Sequence, residues 1–210
     1  MLSVTESKLY EPTRRRQNSR GKPPSTKILS EAARLFWQKG YLGTSVDEIA
    51  KAANVNKAII YYYFENKVDL LYQVMLSSMR ELLALATPIV NSNMTPKEKF
   101  EKLILNHMEW RTSHIGLAGI AEVERKNLPP KDLQEYINMR DEYEMGFRRT
   151  LKEVIDSGGF RDLDPKLASF FTLGLLNSIT RWYRPNGPLS PSDIASEACR
   201  FIFQGLEGNR

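Results

Sequence analysis

Between Ser45 and Phe64 the chain encodes two helices that are each too short to stand alone. Ser45-Val46-Asp47-Glu48 is a capping box, a serine with a glutamate three residues on, and it opens a helix reaching Ala53. Asn54-Val55-Asn56 is a three-residue connector, and Asn56 caps a second helix ending near Tyr63. Helices of two turns are unstable in water by themselves, so both must pack on a third element. Upstream, Ile28, Leu29, Ala32, Leu35 and Phe36 recur at helical spacing and stop at Gly40, where a C′ glycine belongs. Val46, Ile49, Ala50, Val55, Ile60 and Phe64 supply the shared core. Two short helices joined by so tight a turn are the parts of a helix-turn-helix.

The remainder of the chain is helical too. Asn66 caps a longer helix with Val68, Leu71, Met75, Leu82 and Ala86 near one stripe. Thr95-Pro96-Lys97-Glu98 joins a capping box to a proline at N1 and starts a helix to about Arg111. An apolar segment follows over about Ile115–Lys126. After Pro129-Pro130 comes a long amphipathic helix that Gly158-Gly159 stops. Asp164-Pro165 opens an eighth helix, apolar around most of its circumference, and Ser190-Pro191 opens a ninth. There is no run of strand alternation and no internal repeat. The expected fold is all-α, with nine helices: a flexible basic arm over residues 1–24, a three-helix domain over 25–66, and a larger helical body over 67–210.

Charge follows the same division. Residues 1–67 carry twelve Lys and Arg against six Asp and Glu, whereas the rest carries eighteen against nineteen. The whole excess of +5 therefore sits at the N-terminal end, as expected of a polyanion-binding end joined to a near-neutral body. Arg14-Arg15-Arg16 in the arm suits either a minor groove or non-specific attraction. No apolar run approaches the roughly 18 residues of a membrane span. No secretory h-region is evident, and a cytoplasmic setting is the default expectation. One cysteine, Cys199, and two histidines, His107 and His114, leave no basis for a disulfide framework or a metal cage. No cofactor is implied. Motifs for nucleophile elbows, phosphate loops, zincins and dinucleotide folds are missing, which argues against an enzyme.

On the second short helix, Lys57, Ala58, Ile59, Tyr61 and Tyr62 are left to face outward. Successive residues turn by about 100°, so three consecutive tyrosines cannot all enter one core. Small Ala58 permits close approach to a groove floor, and tyrosine hydroxyls can bond phosphate oxygens. Lys67 joins a helix N-terminus that favours phosphate, and Thr44 and Ser45 stand at another. The stretch Gly40-Tyr-Leu-Gly-Thr44-Ser45-Val46, with Ile49-Ala50, Ala53, Val55 and Ile60-Tyr61-Tyr62-Tyr63-Phe64-Glu-Asn66-Lys67, resembles the tetracycline-repressor (TetR) family. The resemblance implies a three-helix DNA-binding domain and a helical ligand-binding and dimerisation domain. It further implies a homodimer through the last two helices, a pseudo-palindromic duplex operator, and release by a small molecule. By position, Thr44, Lys57, Ala58, Tyr61, Tyr62 and Lys67 match the family's usual operator contacts. Asn56 and Ile59 depart from the Ser or Thr that many members carry early in the recognition helix.

Two further blocks, Arg140–Arg148 and Leu176–Pro191, resemble a TetR subgroup that senses acyl-CoA thioesters in fatty-acid, steroid or related catabolism. The residues are compatible with such a ligand. Tyr143 and Phe147 lie beside Arg148 on the long helix, and Arg181 and Trp182 end the eighth. Arginine forks suit phosphates, and Trp182 could stack on adenine or line the acyl channel. Asn177, in an apolar helix, must find a partner if buried. The competing reading is a sensor of hydrophobic cationic drugs, for which Glu109 beside Trp110, with Glu122 and Glu124, would supply carboxylates. A helical interaction module without DNA binding is the remote alternative.

Overall fold

The computed structural model describes residues 24–207. Among them there is no strand, and the helices run α1 (Pro24–Lys39), α2 (Val46–Ala53), α3 (Lys57–Tyr63), α4 (Lys67–Val90), α5 (Pro96–Ser113), α6 (Ile115–Glu124), α7 (Pro130–Asp156), α8 (Pro165–Asn177), α9 (Ile179–Trp182) and α10 (Pro191–Leu206), with one 3-10 turn at Arg125–Asn127. The nine-helix plan holds among these residues. The short α9 continues the eighth helix beyond a break at Ser178, whose N–H still donates to Gly174 O and Leu175 O. The arm expected over 1–24 lies outside the described residues except for Pro24, which begins α1.

The expected caps form. Ser45 Oγ accepts from the Glu48 N–H while Glu48 reaches back to the Ser45 N–H, and Thr95/Glu98 and Ser190/Asp193 repeat the arrangement on α5 and α10. Asn54 closes α2 in the left-handed region at φ 55°, which asparagine tolerates better than most residues. Asn56 and Asn66 cap α3 and α4 through their side-chain oxygens. Each such cap satisfies a backbone donor that would otherwise be orphaned, typically for about 1 kcal/mol.

Ile28, Ala32 and Phe36 of α1 bury against Ile49, Ala53, Ile60 and Phe64, closing the three-helix unit. Ile59, expected outward, is instead half-buried against this core. In the body α4 lies along α7, α7 along α8, and α10 along α5. Phe100, Phe147, Phe160 and Phe203 form an aromatic cluster where α5, α7 and α10 meet.

The two parts are joined by more than the start of α4. Trp37 of α1 lies flat on α6 at Gly116 and Gly119. A β-carbon at Gly119 would come within 2.2 Å of the indole, so only glycine admits this approach. At the far end of α6, buried Glu124 accepts the Tyr41 N–H at 2.9 Å and an amide hydrogen of Asn127 at 2.6 Å.

Candidate DNA-reading surface and effector cavity

On α3, Lys57, Ala58, Tyr61 and Tyr62 are exposed together, as their helical spacing requires. Tyr62 stands edge-on against Tyr63 at 5.0 Å, which fixes its ring while leaving half its surface open. Lys57 Nζ meets Asp47 Oδ2 of α2 at 2.9 Å, and this pair holds the lysine's pKa above its ordinary value. Both partners are largely exposed, so the pair is weak and can exchange for a phosphate. Ser45 is exposed at the N-terminus of α2. Lys67, at the start of α4, sits 4.2 Å above the Tyr41 ring, and partial burial lowers its pKa.

Thr44 is a correction. Its side chain is 2 % exposed, and its hydroxyl lies within reach of Leu35 O at 3.2 Å and Gly40 O at 2.9 Å. It ties down the carbonyl end of α1 and does not face outward. A threonine adjacent to an N-cap serine reads like a surface residue, but here the tight turn after Gly40 folds it inward.

Two of the cavities in the body have Tyr143 in their lining. The outer one, about 830 Å³, runs between α4 and α7 over Leu83, Ala86 and Val90, with Arg149, Lys152 and Lys166 among its lining residues. The inner one, about 430 Å³, is lined by residues of α4 through α8. Its polar wall is a connected network. His107 bonds the Tyr143 hydroxyl through Nδ1 at 2.9 Å and Asn177 Oδ1 through Nε2 at 3.2 Å. One turn on, the Arg111 guanidinium donates to Glu122 Oε1 at 2.7 Å and Asn177 O at 3.3 Å. Thr180 of α9 donates to the same Glu122 carboxylate.

Burial sets the protonation states here. His107 is fully enclosed, and desolvation, helped by nearby Arg111, brings its pKa down to about 3, so the ring is neutral. With Nε2–H donating to Asn177, Nδ1 accepts from Tyr143. Desolvation pushes the Tyr143 and Tyr136 phenols up and the Arg111 guanidinium down, the last opposed by Glu122.

The His107 shift has a consequence for stability. A histidine whose folded pKa is depressed takes up its proton preferentially in the unfolded chain. Its effect is nil above pH 6.5 and grows as pH falls towards 3. At pH 5 it should amount to about 2 kcal/mol of lost stability. His107→Gln should flatten this part of the acid limb in urea titrations at pH 7 and pH 5; an unchanged pH 7-to-5 difference would show that His107 does not titrate on unfolding.

The sequence-based ligand residues divide. Tyr143 and Asn177 line the inner cavity. Phe147 does not reach either cavity: it is fully buried against Phe100, His107 and Tyr143. Arg148 lines the outer cavity, but its guanidinium is held in a fork by the Glu144 carboxylate and leans on Phe170. It is already neutralised and is a poor phosphate ligand. Arg181 and Trp182 are exposed away from both cavities, and Trp182 faces the α8–α10 side with Leu189 and Phe201. Arg111 and Tyr136 line the inner cavity without having been expected there, and Glu122, expected only as a carboxylate of a drug pocket, lines it too. The available signal is His107 and Arg111 at i, i+4 on an otherwise apolar helix face. Of the carboxylates expected for a drug pocket, Glu109 is exposed and lines neither cavity, Glu124 holds Tyr41, and Glu122 is paired with Arg111; the other carboxylates lining the inner cavity, Asp141 and Glu144, are also paired with arginines.

Known proteins match this architecture over most of the chain. Residues 28–74 match the model for bacterial regulatory proteins of the tetR family, and residues 93–206 match a tetracyclin repressor-like C-terminal domain. The crystal structure of the TetR family transcriptional regulator PfmR from Thermus thermophilus superposes with a TM-score of 0.80 at 32% identity, covering 86% of this chain and 99% of that one. The HTH-type transcriptional repressor KstR2 of Rhodococcus jostii is 26% identical over 86% of this chain and 90% of its own length. AibR, solved in complex with isovaleryl coenzyme A and operator DNA, has a TM-score of 0.79 at 26% identity, covering 86% of this chain and 98% of that one. The chain belongs to the TetR family of DNA-binding transcriptional regulators.

Proposed function

We propose that this regulator is a homodimeric repressor that leaves a pseudo-palindromic operator when an acyl-CoA thioester fills its body. The observation that carries this reading is the pair of cavities meeting at Tyr143. An apolar groove lined by Arg149, Lys152 and Lys166, with Glu142 and Asp164 among them, suits a pantetheine arm and its phosphates, and the half-open chamber that shares Tyr143 with it suits an acyl group. The relatives support it: AibR was solved with isovaleryl coenzyme A, and a 28% identical Bacillus subtilis relative is a fatty acid metabolism regulator. A cationic drug is disfavoured because the inner cavity's carboxylates are already paired.

Residues 25–66 then read DNA through Ser45, Lys57, Ala58, Tyr61, Tyr62 and Lys67, and 67–210 sense and dimerise. The exposed apolar residues Leu167, Phe171, Leu175, Trp182, Leu189 and Phe201 on the α8, α9 and α10 side supply the dimer face. A two-fold axis there sets two α3 helices about 34 Å apart, one turn of DNA. The switch has a short path. Glu122 lines the inner cavity, and Glu124, two residues on, holds the Tyr41 N–H beside Lys67. A ligand that displaces the end of α6 therefore shifts the three-helix unit, and operator affinity falls if it binds the displaced state better.

The test is titration of the complex with upstream DNA by acyl-CoAs, free fatty acids and cationic dyes in a mobility-shift assay. Acyl-CoAs should weaken binding at least about tenfold. Release by dyes alone, or no retardation at low salt, overturns the reading.

A further inference from the structure

One cation of the inner cavity is left without a partner. Three carboxylates line this chamber, and each is neutralised: Glu122 by Arg111, Asp141 by Arg140, and Glu144 by Arg148 from the neighbouring groove. Arg125, on the 3-10 turn after α6, lines the chamber too, and no carboxylate pairs with it among the described residues. It is exposed, as are Glu122, Arg140 and Asp141, whereas His107, Tyr136 and Tyr143 are buried; the arginine therefore stands at the entrance and the rings deeper in. Tyr136 of α7 is 8 % exposed, and its hydroxyl makes no hydrogen bond among the described residues. Its oxygen is not sealed in, unlike Arg111 Nε and Gln73 Oε1, which have neither a partner nor accessible surface. Burial raises the phenol's pKa while Arg140, Arg111 and Arg125 oppose the rise, so all three guanidinium groups lie near the hydroxyl. A buried phenol usually finds a hydrogen-bond partner. Here it opens onto a chamber that carries one uncompensated positive charge.

We infer that the inner cavity takes an acyl group ending in a carboxylate, held by the Arg125 guanidinium at the entrance and the Tyr136 hydroxyl within. This rests on the acyl-CoA reading for the rest of the ligand; the carboxylate subsite itself does not depend on the coenzyme. One uncompensated cation matches one carboxylate and falls short of the nearly two negative charges of a phosphate monoester. An arginine fork suits a carboxylate, and the phenol adds a neutral donor to the same oxygens. Met79, Leu82, Ala118 and Leu173 offer apolar wall to the methylenes between thioester and carboxylate. Because Arg125 is exposed, the bound carboxylate keeps part of its hydration, which limits its desolvation cost. An uncharged chain end leaves the phenol unpaired, and a site built to hydrogen-bond a group discriminates against the analogue lacking it.

The experiment measures dissociation constants of the full chain by calorimetry for the succinyl, adipoyl and suberoyl monothioesters of coenzyme A, for the methyl ester of each, and for the saturated acyl-CoA of the same length. The free diacids, as monomethyl and dimethyl esters, are measured alongside. At the best-fitting length the carboxylate should bind about tenfold tighter than its methyl ester or the saturated chain, the lower end of what a hydrogen bond to a charged group supplies, because Arg125 is exposed. Arg125→Gln, a surface substitution, should bring that ratio close to one. Tyr136→Phe, which removes only a hydroxyl, should reduce it severalfold. Equal affinity for carboxylate and methyl ester at every length overturns the inference and leaves the acyl-CoA reading standing. It is also overturned if Arg125→Gln weakens carboxylate-ended and saturated thioesters alike, since the arginine then serves the coenzyme's phosphates. If a free monomethyl ester binds with the same Arg125-dependent preference while no thioester binds, the carboxylate subsite stands and the acyl-CoA reading fails. If no probe binds, both fail.

Discussion

Glu122→Ala is expected to destabilise the fold by about 2 kcal/mol, whereas Glu122→Ala combined with Arg111→Met should cost markedly less. The Arg111 guanidinium is buried, and through Nη2 it donates to the Glu122 carboxylate and the Asn177 carbonyl. Removing one partner of a buried ion pair typically costs about 3–5 kcal/mol, because the surviving charge is left in low dielectric. The Glu122 side chain is one-third exposed, at 33 %, so water screens part of the pair and the lower figure of about 2 is appropriate. Thr180 Oγ1 also loses an acceptor, but it retains Asn177 O. Methionine at 111 keeps an apolar stem of similar reach and removes the stranded charge. Urea unfolding of the two single variants and the double variant checks this through a double-mutant cycle. Strictly additive losses would mean that the pair contributes no coupling and that the polar wall is held by packing alone.

The helix-turn-helix is legible in the sequence because its determinants are local. Ser45 and Glu48 cap one helix within four residues, Asn54 takes the left-handed turn, and Asn56 caps the next. The exposed set on α3 follows from a rotation of about 100° per residue once the core stripe is known. Thr44 escapes such reasoning because its fate depends on how the loop after Gly40 packs under α1, which is tertiary. The cavity is harder to see for the same reason. Arg111, Glu122, Tyr136 and Asn177 come from four different helices, and no spacing rule relates them. Arg148 looks available because an exposed arginine near tyrosines is a reasonable phosphate ligand; Glu144, four residues earlier on the same face, captures it instead. Trp182 follows an apolar helix that buries one side against α7 and α5 and leaves Leu167, Phe170, Phe171 and Leu175 exposed on the other. A helix apolar around most of its circumference does not declare which side meets the core and which meets a partner subunit.

Replacing both exposed tyrosines, Tyr61→Ala and Tyr62→Ala, should lower operator affinity about 100-fold per half-site. The figure follows from two hydrogen bonds to charged phosphate oxygens at about 1.5 kcal/mol each. The fold should hardly notice, since the rings are 49 % and 52 % exposed and surface substitutions of this kind usually stay within about 0.5 kcal/mol. Tyr61→Phe with Tyr62→Phe separates the two contributions of the side chain. If the hydroxyls bond phosphates, the phenylalanine pair loses most of the affinity; if the rings pack against sugars or thymine methyls, it keeps most of it. Lys57→Ala makes an independent control, because its charge is shared with Asp47 until DNA arrives. It should weaken specific and random duplexes alike, and the log–log salt slope should become shallower by about one for each phosphate that the lysine no longer neutralises. Fluorescence anisotropy across a salt series, with thermal midpoints recorded for each variant, measures all three. Unchanged operator affinity in the double-alanine variant with an unchanged thermal midpoint would mean that α3 presents a different face to the groove, leaving Ser45 and Lys67 at the ends of α2 and α4 as the points from which docking would have to be rebuilt.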